Sequence, residues 1–318
     1  MIDVCICTHN PRMDVLASVI ESIADQNGCA GLFSVLLVDN ASAPPISAEV
    51  LDVLVSRDIP ARIVVEDALG IARARLRAIE ETKADWLLFV DDDNVLDMDY
   101  IAEGVAFINA HDGKVGCFGG KLLLPSSIKP PLWASPFLPF LAIKDIGDDP
   151  AFGSGKTWDP SEPPTAGAMV HRLVLNQYRD RSRHVDISKL GRIGTAGLIS
   201  CEDSLLMRGV WALGLSTAYN PKMILRHILD MRRFRIGYLI RLMYSYGISH
   251  VRLNCILDAE LKPPPSYLHL QQFVRLLASE MSNAGRKSFA FGLGIGAYHV
   301  GARGEYLRQE KAKQNDRR

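Results

Sequence analysis

Several features that would assign this 318-residue chain to a well-known class are missing from its sequence. No run of about 18 apolar residues occurs, so no membrane-spanning helix is expected. The six cysteines contain no CxxC pair and mostly stand in apolar runs. This pattern predicts buried free thiols in a reducing compartment rather than disulfides or a zinc site. A predicted strand begins directly after Met1 and leaves no room for a signal peptide, so we expect a cytoplasmic location.

Two common nucleotide-binding signatures are also missing. The chain has neither a Walker P-loop nor a GxGxxG motif after its first predicted strand, which argues against a nucleoside triphosphatase or a dinucleotide enzyme. The content of 48% hydrophobic and 23% charged residues is ordinary for a folded domain. The length allows one large α/β domain or two smaller ones.

The formal net charge is zero, but the two signs are unevenly distributed. Residues 1–225 hold 20 Lys and Arg against 29 Asp and Glu, a balance of −9, and residues 226–318 hold 16 against 7, a balance of +9. A basic segment indicates an anionic partner surface or simply a solvated helical surface. We expect no nucleic-acid partner.

Short apolar strands alternate with amphipathic helices in the first 95 residues. The predicted strands cover residues 2–10, 34–42, 61–66 and 85–93, and the predicted helices cover residues 13–26, 48–55 and 69–82. This alternation predicts a parallel, doubly wound sheet, in which ligands bind beyond the carboxyl ends of the strands. Polar groups follow each predicted strand at that edge: Thr8-His9-Asn10, Asp39-Asn40, Glu66-Asp67 and Asp91-Asp92-Asp93.

In the stretch LLFVDDDNV, residues 87–95, an apolar predicted strand is followed directly by three consecutive aspartates. Such a carboxylate cluster is costly unless something cationic or hydrogen-bonding meets it. A divalent metal, a set of backbone donors and plain solvent at a strand end all satisfy this requirement.

The regular alternation of predicted strands and helices ends after Asp93. Residues 115–125 predict a strand with a Gly-Gly kink, and residues 126–164 are rich in Pro, Trp and Gly, as in a substrate-facing loop. Residues 199–214 predict a loop that enters a helix, and the chain is predicted to be mostly helical from Met231 onward.

Six short motifs occur in a fixed order along the chain: CTHNP, VDNAS, GIARARLRA, FVDDDN, PTAGAM and CED. In this order, and over roughly residues 1–255, they resemble the family 2 glycosyltransferases of the GT-A fold, in a bacterial branch. The resemblance implies a Rossmann-like, doubly wound mixed sheet with a helical C-terminal extension. It implies a catalytic domain over residues 1–228, with a nucleotide-binding half (1–95) and an acceptor half (96–228), before a basic helical region (229–318).

The resemblance also implies a reaction. A sugar would move from a nucleotide-diphosphate sugar, with UDP as the expected nucleotide, to a hydroxyl of a bacterial polysaccharide or lipid-linked glycan, with inversion by direct displacement. A divalent metal, Mn²⁺ or Mg²⁺, would neutralise the leaving diphosphate. By resemblance Asp93 is the first metal ligand, joined by Asp91 and His227, and Asp91 or Asp92 acts through water or the donor ribose. A structural histidine at position 227 is the alternative.

The resemblance also implies that four further residues contact the nucleotide. Thr8 and Asn10 would border the base or ribose, Asp39 would accept an N–H of the base, and Arg73 would contact the base or the diphosphate. The alternative for Arg73 is that it is one of several exposed arginines on its helix.

The same resemblance makes Asp203 the base that accepts the proton of the attacking hydroxyl. Glu202 would orient the acceptor or tune the pKa of Asp203. Helix capping is the structural alternative for Asp203, and the two roles are compatible.

Other classes remain as alternatives. DDDNV also resembles the motif of haloacid dehalogenase-type phosphatases, with Asp91 as the nucleophile, although three predicted strands precede it here. A sugar nucleotidyltransferase would need a Gly-rich basic loop after the first strand, and CTHNPRMD is not one. A sugar-nucleotide-binding protein without turnover would bind donor and metal only.

A predicted amphipathic helix opens the C-terminal region. Its apolar residues are Phe234, Tyr238, Leu239, Leu242, Met243 and Tyr246, and it is flanked by Arg232, Arg233, Arg235 and Arg241. Such a helix can lie on an anionic membrane, which predicts peripheral association with the inner leaflet. Alternatively it packs on the catalytic body, and its arginines bind the diphosphate or the acidic half.

Overall fold

Strands and helices alternate in the first part of the chain, as the apolar periodicity predicts. The computed structural model of the protein describes residues 2–29, 31–193, 198–257 and 289–316. The first elements are β1 (Ile2–Thr8), α1 (Met13–Ala24), β2 (Phe33–Asp39), a 3₁₀ turn (Ala48–Leu51) leading into α2 (Asp52–Val55), β3 (Ala61–Val65), α3 (Ile71–Glu81) and β4 (Trp86–Asp91).

The middle of the chain mixes short strands, helices and 3₁₀ turns. In order, these are β5 (Asn94–Leu96), α4 (Tyr100–Ala110), β6 (Val115–Leu123), a 3₁₀ helix (Leu132–Leu141), β7 (Ala151–Gly153), β8 (Met169–His171), α5 (Arg172–Ser182), a 3₁₀ turn (Ile187–Leu190), α6 (Glu202–Met207) and α7 (Gly209–Ala212). The last strand and the helices that follow are β9 (Ser216–His227), a 3₁₀ turn (Met231–Phe234), α8 (Ile236–Ile256) and α9 (Phe289–Asp316).

All these strands join one mixed sheet in the order β3-β2-β1-β4-β8-β6-β9-β5, and β7 also pairs with β9. Strands β1 to β4 are parallel, β8 is antiparallel to both β4 and β6, and β6 is parallel to β9. The predicted fold class, a mixed α/β sheet with a helical C-terminal extension, is confirmed.

Apolar side chains cover both faces of the sheet, because central parallel strands are buried on each side. Ile6 of β1 packs in a cluster with residues of α1, α2 and α4. Its neighbours Cys5 and Cys7 point into a second cluster with α3, α5 and α6. Five cysteines are buried free thiols (Cys5, Cys7, Cys29, Cys117 and Cys201), as predicted, and Cys255 is half-buried.

The predicted Gly-Gly kink of β6 is present. The register between β6 and β9 shifts between Gly119 and Lys121. A Cβ atom at Gly120 would lie 1.8 Å from the carbonyl oxygen of Met223, so the two backbones can approach this closely only at a glycine. This contact sets the path of β9 toward its C-terminal residue, His227.

The C-terminal helices pack on the loop that follows β6. Ala134, Phe137 and Leu141 of the 3₁₀ helix share an apolar cluster with α8 and α9. Of the face predicted for a membrane, four residues are buried in or beside this cluster: Phe234, Leu239, Leu242 and Met243. This face is covered by protein, as the packing part of the alternative describes. The predicted peripheral association with the inner leaflet stays a prediction. Within the described ranges, no helix is both long and apolar enough to cross a membrane.

Candidate active site

The carboxyl ends of the parallel strands bring several of the predicted site residues together. Thr8 of β1 lies beside Asp39 of β2, and Cys7 lies beside Asp91 of β4, in register. The hydroxyl of Thr8 donates a hydrogen bond to the carboxylate of Asp92. Polar residues from these strand ends therefore meet at one edge of the sheet, as the strand pattern predicts.

An open cleft of about 190 Å³ lies at this edge, where the strand pattern predicts ligand binding. Its polar lining comes from Thr8, His9, Asn40, Asp92 and Arg192, and Cys7, Leu69, Gly70, Ile71 and Ala74 complete it. Arg192 was not identified from the sequence. It reaches the cleft because its backbone carbonyl accepts the N–H of Ile71, at 3.1 Å, at the start of α3.

The side chain of Asn40 holds one wall of the cleft in place. Its Nδ2 atom donates to the carbonyl oxygens of Glu66 and Ala68, at 3.0 and 2.9 Å, and its Oδ1 atom accepts the N–H of Gly70 at 2.8 Å. These three bonds join the ends of β2 and β3 to the start of α3. Gly70 has φ +139°, a conformation that a side chain would strain.

Two residues expected to contact the nucleotide bind the backbone of the loop after β2. Asp39 is 1% exposed, and its two carboxylate oxygens accept the N–H groups of Ser42 and Ile46, each at 3.0 Å. The Oδ1 atom of Asn10 accepts the N–H of Ala43 at 2.8 Å. A base contact by Asp39 would therefore use a second lone pair of an oxygen that already accepts a backbone donor.

The aspartates of the DDDNV segment meet different partners. Asp91 has its Oδ1 atom 3.9 Å from the Nη2 atom of Arg75, and Asp92 accepts the Thr8 hydroxyl. Burial raises the pKa of Asp91, and the Arg75 guanidinium opposes this effect. Burial, helped by the neighbouring Asp93 charge, raises the pKa of Asp92 to about 6.

Asp93 has the most cationic surroundings of the three. Its Oδ1 atom lies 3.3 Å from Nε2 of His227, and its Oδ2 atom lies 3.7 Å from Nη2 of Arg233. Burial raises the pKa of Asp93, but His227 and Arg233 outweigh it, so the net shift is downward. His227 arrives here because β9 pairs antiparallel with β5 and places it opposite Asn94.

The pair Asp93 and His227 has the chemistry of a partial metal site. His227 is buried, and its Nδ1 atom has no hydrogen-bond partner within the part of the chain that the structure describes. A carboxylate oxygen and an imidazole nitrogen suit Mn²⁺. Among the described residues, however, no three His, Cys, Asp or Glu side chains are grouped to hold a metal ion. Asp91 has Arg75 3.9 Å from its Oδ1 atom, and the predicted ligand set of Asp91, Asp93 and His227 stays a prediction.

Arg75 is buried beside the candidate site, although the sequence suggested an exposed arginine. It is 7% exposed, and its guanidinium forms an ion pair with the carboxylate of Glu202 and hydrogen-bonds to the hydroxyl of Thr165 at 2.5 Å. Tyr178 donates a further hydrogen bond to Glu202. Glu202 is 2% exposed, and each of its carboxylate oxygens has a hydrogen-bond partner. Its predicted role, orienting the acceptor or tuning the pKa of Asp203, stays a prediction.

The helical period of α3 contains the signal that identifies Arg75. Ala72, Arg75, Ala78 and Ile79 lie on one buried face, at spacings of three and four residues. Arg73 stands on the opposite, exposed face of the helix. Arg73 is not among the described residues that line the cleft, and its predicted contact with the nucleotide or diphosphate stays a prediction.

Asp203 occupies the first turn of α6, directly after Glu202. Its Oδ1 atom accepts the N–H of Ser204 at 2.9 Å, so it contributes to the helix start. The N-cap position is Cys201, with φ +75°. Asp203 is half-buried, and its charge helps to raise the pKa of Arg75. The residue predicted to be the base therefore lies close to the buried arginine that also approaches Asp91.

A second carboxylate near Asp203 was not identified from the sequence. Glu162 is buried, and its Oε2 atom lies 3.0 Å from Nε of Arg208. Burial raises the pKa of Glu162, Arg208 opposes this effect, and the charge of Asp203 adds to it. The loop of residues 126–164 thus contributes an acid to the neighbourhood of the predicted base.

Comparison with known proteins agrees with the resemblance. Residues 3–122 match the family model described as glycosyl transferase family 2. An N-acetylglucosaminyltransferase of Bradyrhizobium diazoefficiens is 31% identical over 123 residues, which are 38% of this chain and 25% of that protein. The chain thus matches about a quarter of the length of this curated relative.

Solved structures of other proteins are similar to most of this chain. The mannosyltransferase PcManGT from Pyrobaculum calidifontis, in complex with GDP-Man and Mn²⁺, superimposes with a TM-score of 0.57 at 17% identity, over 96% of this chain and 86% of that one. TarS of S. aureus gives a TM-score of 0.48 at 11% identity, over 95% of this chain and 54% of TarS. The first comparison supports the GT-A fold.

The family match extends across the DDDNV segment, and this favours a glycosyltransferase over the phosphatase alternative. Residues 3–122 are thus similar in sequence to glycosyl transferase family 2, and the fold agrees with the GT-A type expected from the motifs.

Proposed function

We propose that the protein transfers a sugar from a nucleotide-diphosphate sugar, with UDP as the nucleotide, to a hydroxyl acceptor and inverts the anomeric centre. The observation that carries the proposal is that Arg75 lies between Asp91, at the C-terminal end of β4, and the start of α6, where Asp203 stands. The family match and the N-acetylglucosaminyltransferase relative support the same class of reaction. The mannosyltransferase that shares the fold is described with GDP-Man and Mn²⁺, which supports a metal-assisted donor site.

On the donor side, the cleft formed by Thr8, Asn40 and Arg192 would take the nucleotide. Asp93 and His227 would hold a divalent metal, with the remaining ligands coming from the diphosphate and water. When bound, this metal would neutralise the negative charge that grows on the leaving diphosphate. Arg192 adds a cation to this side of the cleft, and Asp92 would serve the ribose or a metal-bound water.

On the acceptor side, the carboxylate of Asp203 would accept the hydroxyl proton. The acceptor oxygen then forms its bond to the anomeric carbon while the bond from that carbon to the diphosphate oxygen breaks. Attack from the face opposite the leaving group inverts the centre. The carboxylate of Glu202 would not compete as a base, because Arg75 and Tyr178 bind it.

We further propose that residues 1–228 form the catalytic domain and residues 229–318 a basic C-terminal region, because the last strand of the sheet ends at His227. The acceptor would be a growing polysaccharide or a lipid-linked glycan at the inner leaflet of a bacterial membrane. Because the apolar face of α8 is covered, any membrane contact would rest on exposed charges such as Arg232, Arg235 and Arg241.

A donor screen tests this function. Nucleotide sugars are added to the full-length protein with Mn²⁺, thermal shifts identify the donor, and release of the nucleoside diphosphate is then measured with candidate glycan acceptors. A single donor that stabilises the protein and turns over supports the proposal. Binding without turnover would instead support a non-catalytic protein. Phosphate release from a phosphomonoester that is lost in Asp91→Asn would support the phosphatase alternative.

A further inference from the structure

The carboxylate best placed to bind a metal is already paired with a cation from the C-terminal region. The guanidinium of Arg233 lies 3.7 Å from Oδ2 of Asp93, on the carboxylate oxygen that His227 does not approach. The Arg233 side chain is 30% exposed. A partly exposed ion pair at this distance is weak, so the arginine can readily take another partner.

The backbone that carries Arg233 is firmly held. The N–H of Ile228 donates to the carbonyl oxygen of Asp93 at 2.8 Å, and the carbonyl oxygen of Ile228 accepts Nη2 of Arg12 at 2.9 Å. Asp230 caps the 3₁₀ turn by accepting the N–H of Arg232 at 2.8 Å, and Phe234 is buried in the C-terminal cluster. The side chain of Arg233 can therefore change partner while its backbone stays in place.

Charge decides which partner Arg233 takes. With no metal present, its guanidinium offsets the charge of Asp93 beside two further carboxylates. A divalent cation on Asp93 would repel the guanidinium and would arrive together with a diphosphate. Arginine binds phosphate oxygens through two parallel hydrogen bonds, which are stronger than its long contact with Asp93.

We propose that Arg233 exchanges partners when the donor binds, leaving Asp93 to the metal and moving to the diphosphate. This inference rests on the proposed function. It assigns to Arg233 two opposite effects on the same site. The residue competes with a metal that binds alone, and it strengthens the binding of a nucleoside diphosphate that comes with the metal.

The test is a pair of titrations on the full-length protein, first with Mn²⁺ alone and then with UDP at saturating Mn²⁺. We expect Arg233→Gln to tighten Mn²⁺ binding about twofold to fivefold, because a weak competing ion pair is lost. We expect the same variant to weaken UDP binding about tenfold, because a charge-assisted contact is lost. A residue with a merely structural role would not move the two affinities in opposite directions.

Arg232→Gln is the matched control. Arg232 is the adjacent residue, its side chain is 76% exposed, and it pairs with Asp230 at 2.6 Å rather than with Asp93. Both affinities should stay at the wild-type values in this control. Arg233→Lys keeps the charge but not the bidentate geometry, so it should leave Mn²⁺ binding unchanged and weaken UDP binding less than Arg233→Gln does.

The outcomes distinguish failure of the partner exchange from failure of the proposed function. Unchanged UDP affinity or weaker Mn²⁺ binding in Arg233→Gln, with the wild-type protein binding both, overturns the partner exchange and leaves the proposed function standing. Failure of the wild-type protein to bind UDP or any other nucleoside diphosphate in the presence of Mn²⁺ overturns the proposed function itself. Circular dichroism of each variant confirms that the fold is retained.

Discussion

The guanidinium of Arg75 forms a buried ion pair with the carboxylate of Glu202, 127 residues further along the chain. The pair joins α3, which follows the nucleotide-side strands, to the start of α6, which carries Asp203. Because both groups are buried, neither can lose its partner without leaving an uncompensated charge inside the protein. The distance between the two sides of the candidate site thus depends on this contact.

Replacement of Arg75 should therefore lower the stability of the folded protein. We expect Arg75→Met to lower the free energy of unfolding by about 3–5 kcal/mol, because Glu202 would remain charged and unpaired. Urea denaturation measures the change. The double variant Arg75→Met/Glu202→Gln should recover part of the loss, since the buried charge is gone. Arg73→Met, on the exposed face of the same helix, should stay within about 0.5 kcal/mol of the wild type. Equal stability of the Arg75 and Arg73 variants would show that the pair contributes little.

The assignment of Asp203 as the base leads to a second prediction. We expect Asp203→Asn to slow transfer by about 10²–10⁴-fold, because an amide cannot accept the proton of the acceptor hydroxyl. Its unfolding midpoint and donor affinity should hardly change, since the asparagine oxygen can still accept the N–H of Ser204. Asp180→Asn, at an exposed aspartate of α5, is the control and should transfer at the wild-type rate. Near-normal turnover in Asp203→Asn would mean that another group, such as Glu162, is the base.

The close approach of β6 and β9 is tested at a glycine. We expect Gly120→Ala to destabilise the protein by several kcal/mol, on the order of an overpacked core substitution, because the added Cβ meets the Met223 carbonyl. Thermal unfolding measures the loss. Gly237→Ala in α8 is the matched control: its Cβ has no atom within 4 Å, and alanine favours a helix by up to about 1 kcal/mol. Similar melting temperatures for the two variants would contradict the contact.

The lowered pKa of Lys144 predicts that the stability of the protein depends on pH. Burial lowers its pKa to about 8, from 10.5 in the unfolded chain, although the Glu162 charge acts in the opposite direction. The folded protein therefore binds this proton less tightly, and the contribution of Lys144 to stability should rise as the pH increases from about 8 to about 10.5. We expect the melting temperature of the wild type, relative to Lys144→Met, to be higher at pH 10 than at pH 7. A difference that is the same at both pH values would contradict the shift.

The strand and helix order and the polar edge of the sheet could be predicted because they depend on local patterns. Apolar periodicity identifies each element, and parallel strands bring their carboxyl ends together whatever the loops do. The kink at Gly120 and the buried cysteines follow from equally local signals. The motifs indicated the resemblance to family 2 glycosyltransferases for the same reason, since each lies within a few consecutive residues.

Contacts between distant segments could not be predicted in this way. Nothing near Arg75 in the sequence indicates that Glu202 will neutralise it, so its helix face alone gave a signal. The partner of the apolar face of α8 is the 3₁₀ helix of residues 132–141, about a hundred residues earlier, together with α9. Asp39 looks available in the sequence, but folding commits its carboxylate to two backbone N–H groups.

The three hydrogen bonds of the Asn40 side chain have a consequence for affinity. They hold the ends of β2 and β3 and the start of α3 together before any ligand arrives. The conformational entropy of that wall is therefore lost during folding rather than during binding. The entropy lost on binding would therefore come mainly from the ligand itself. For this reason, contacts that are individually weak can still add up to tight binding.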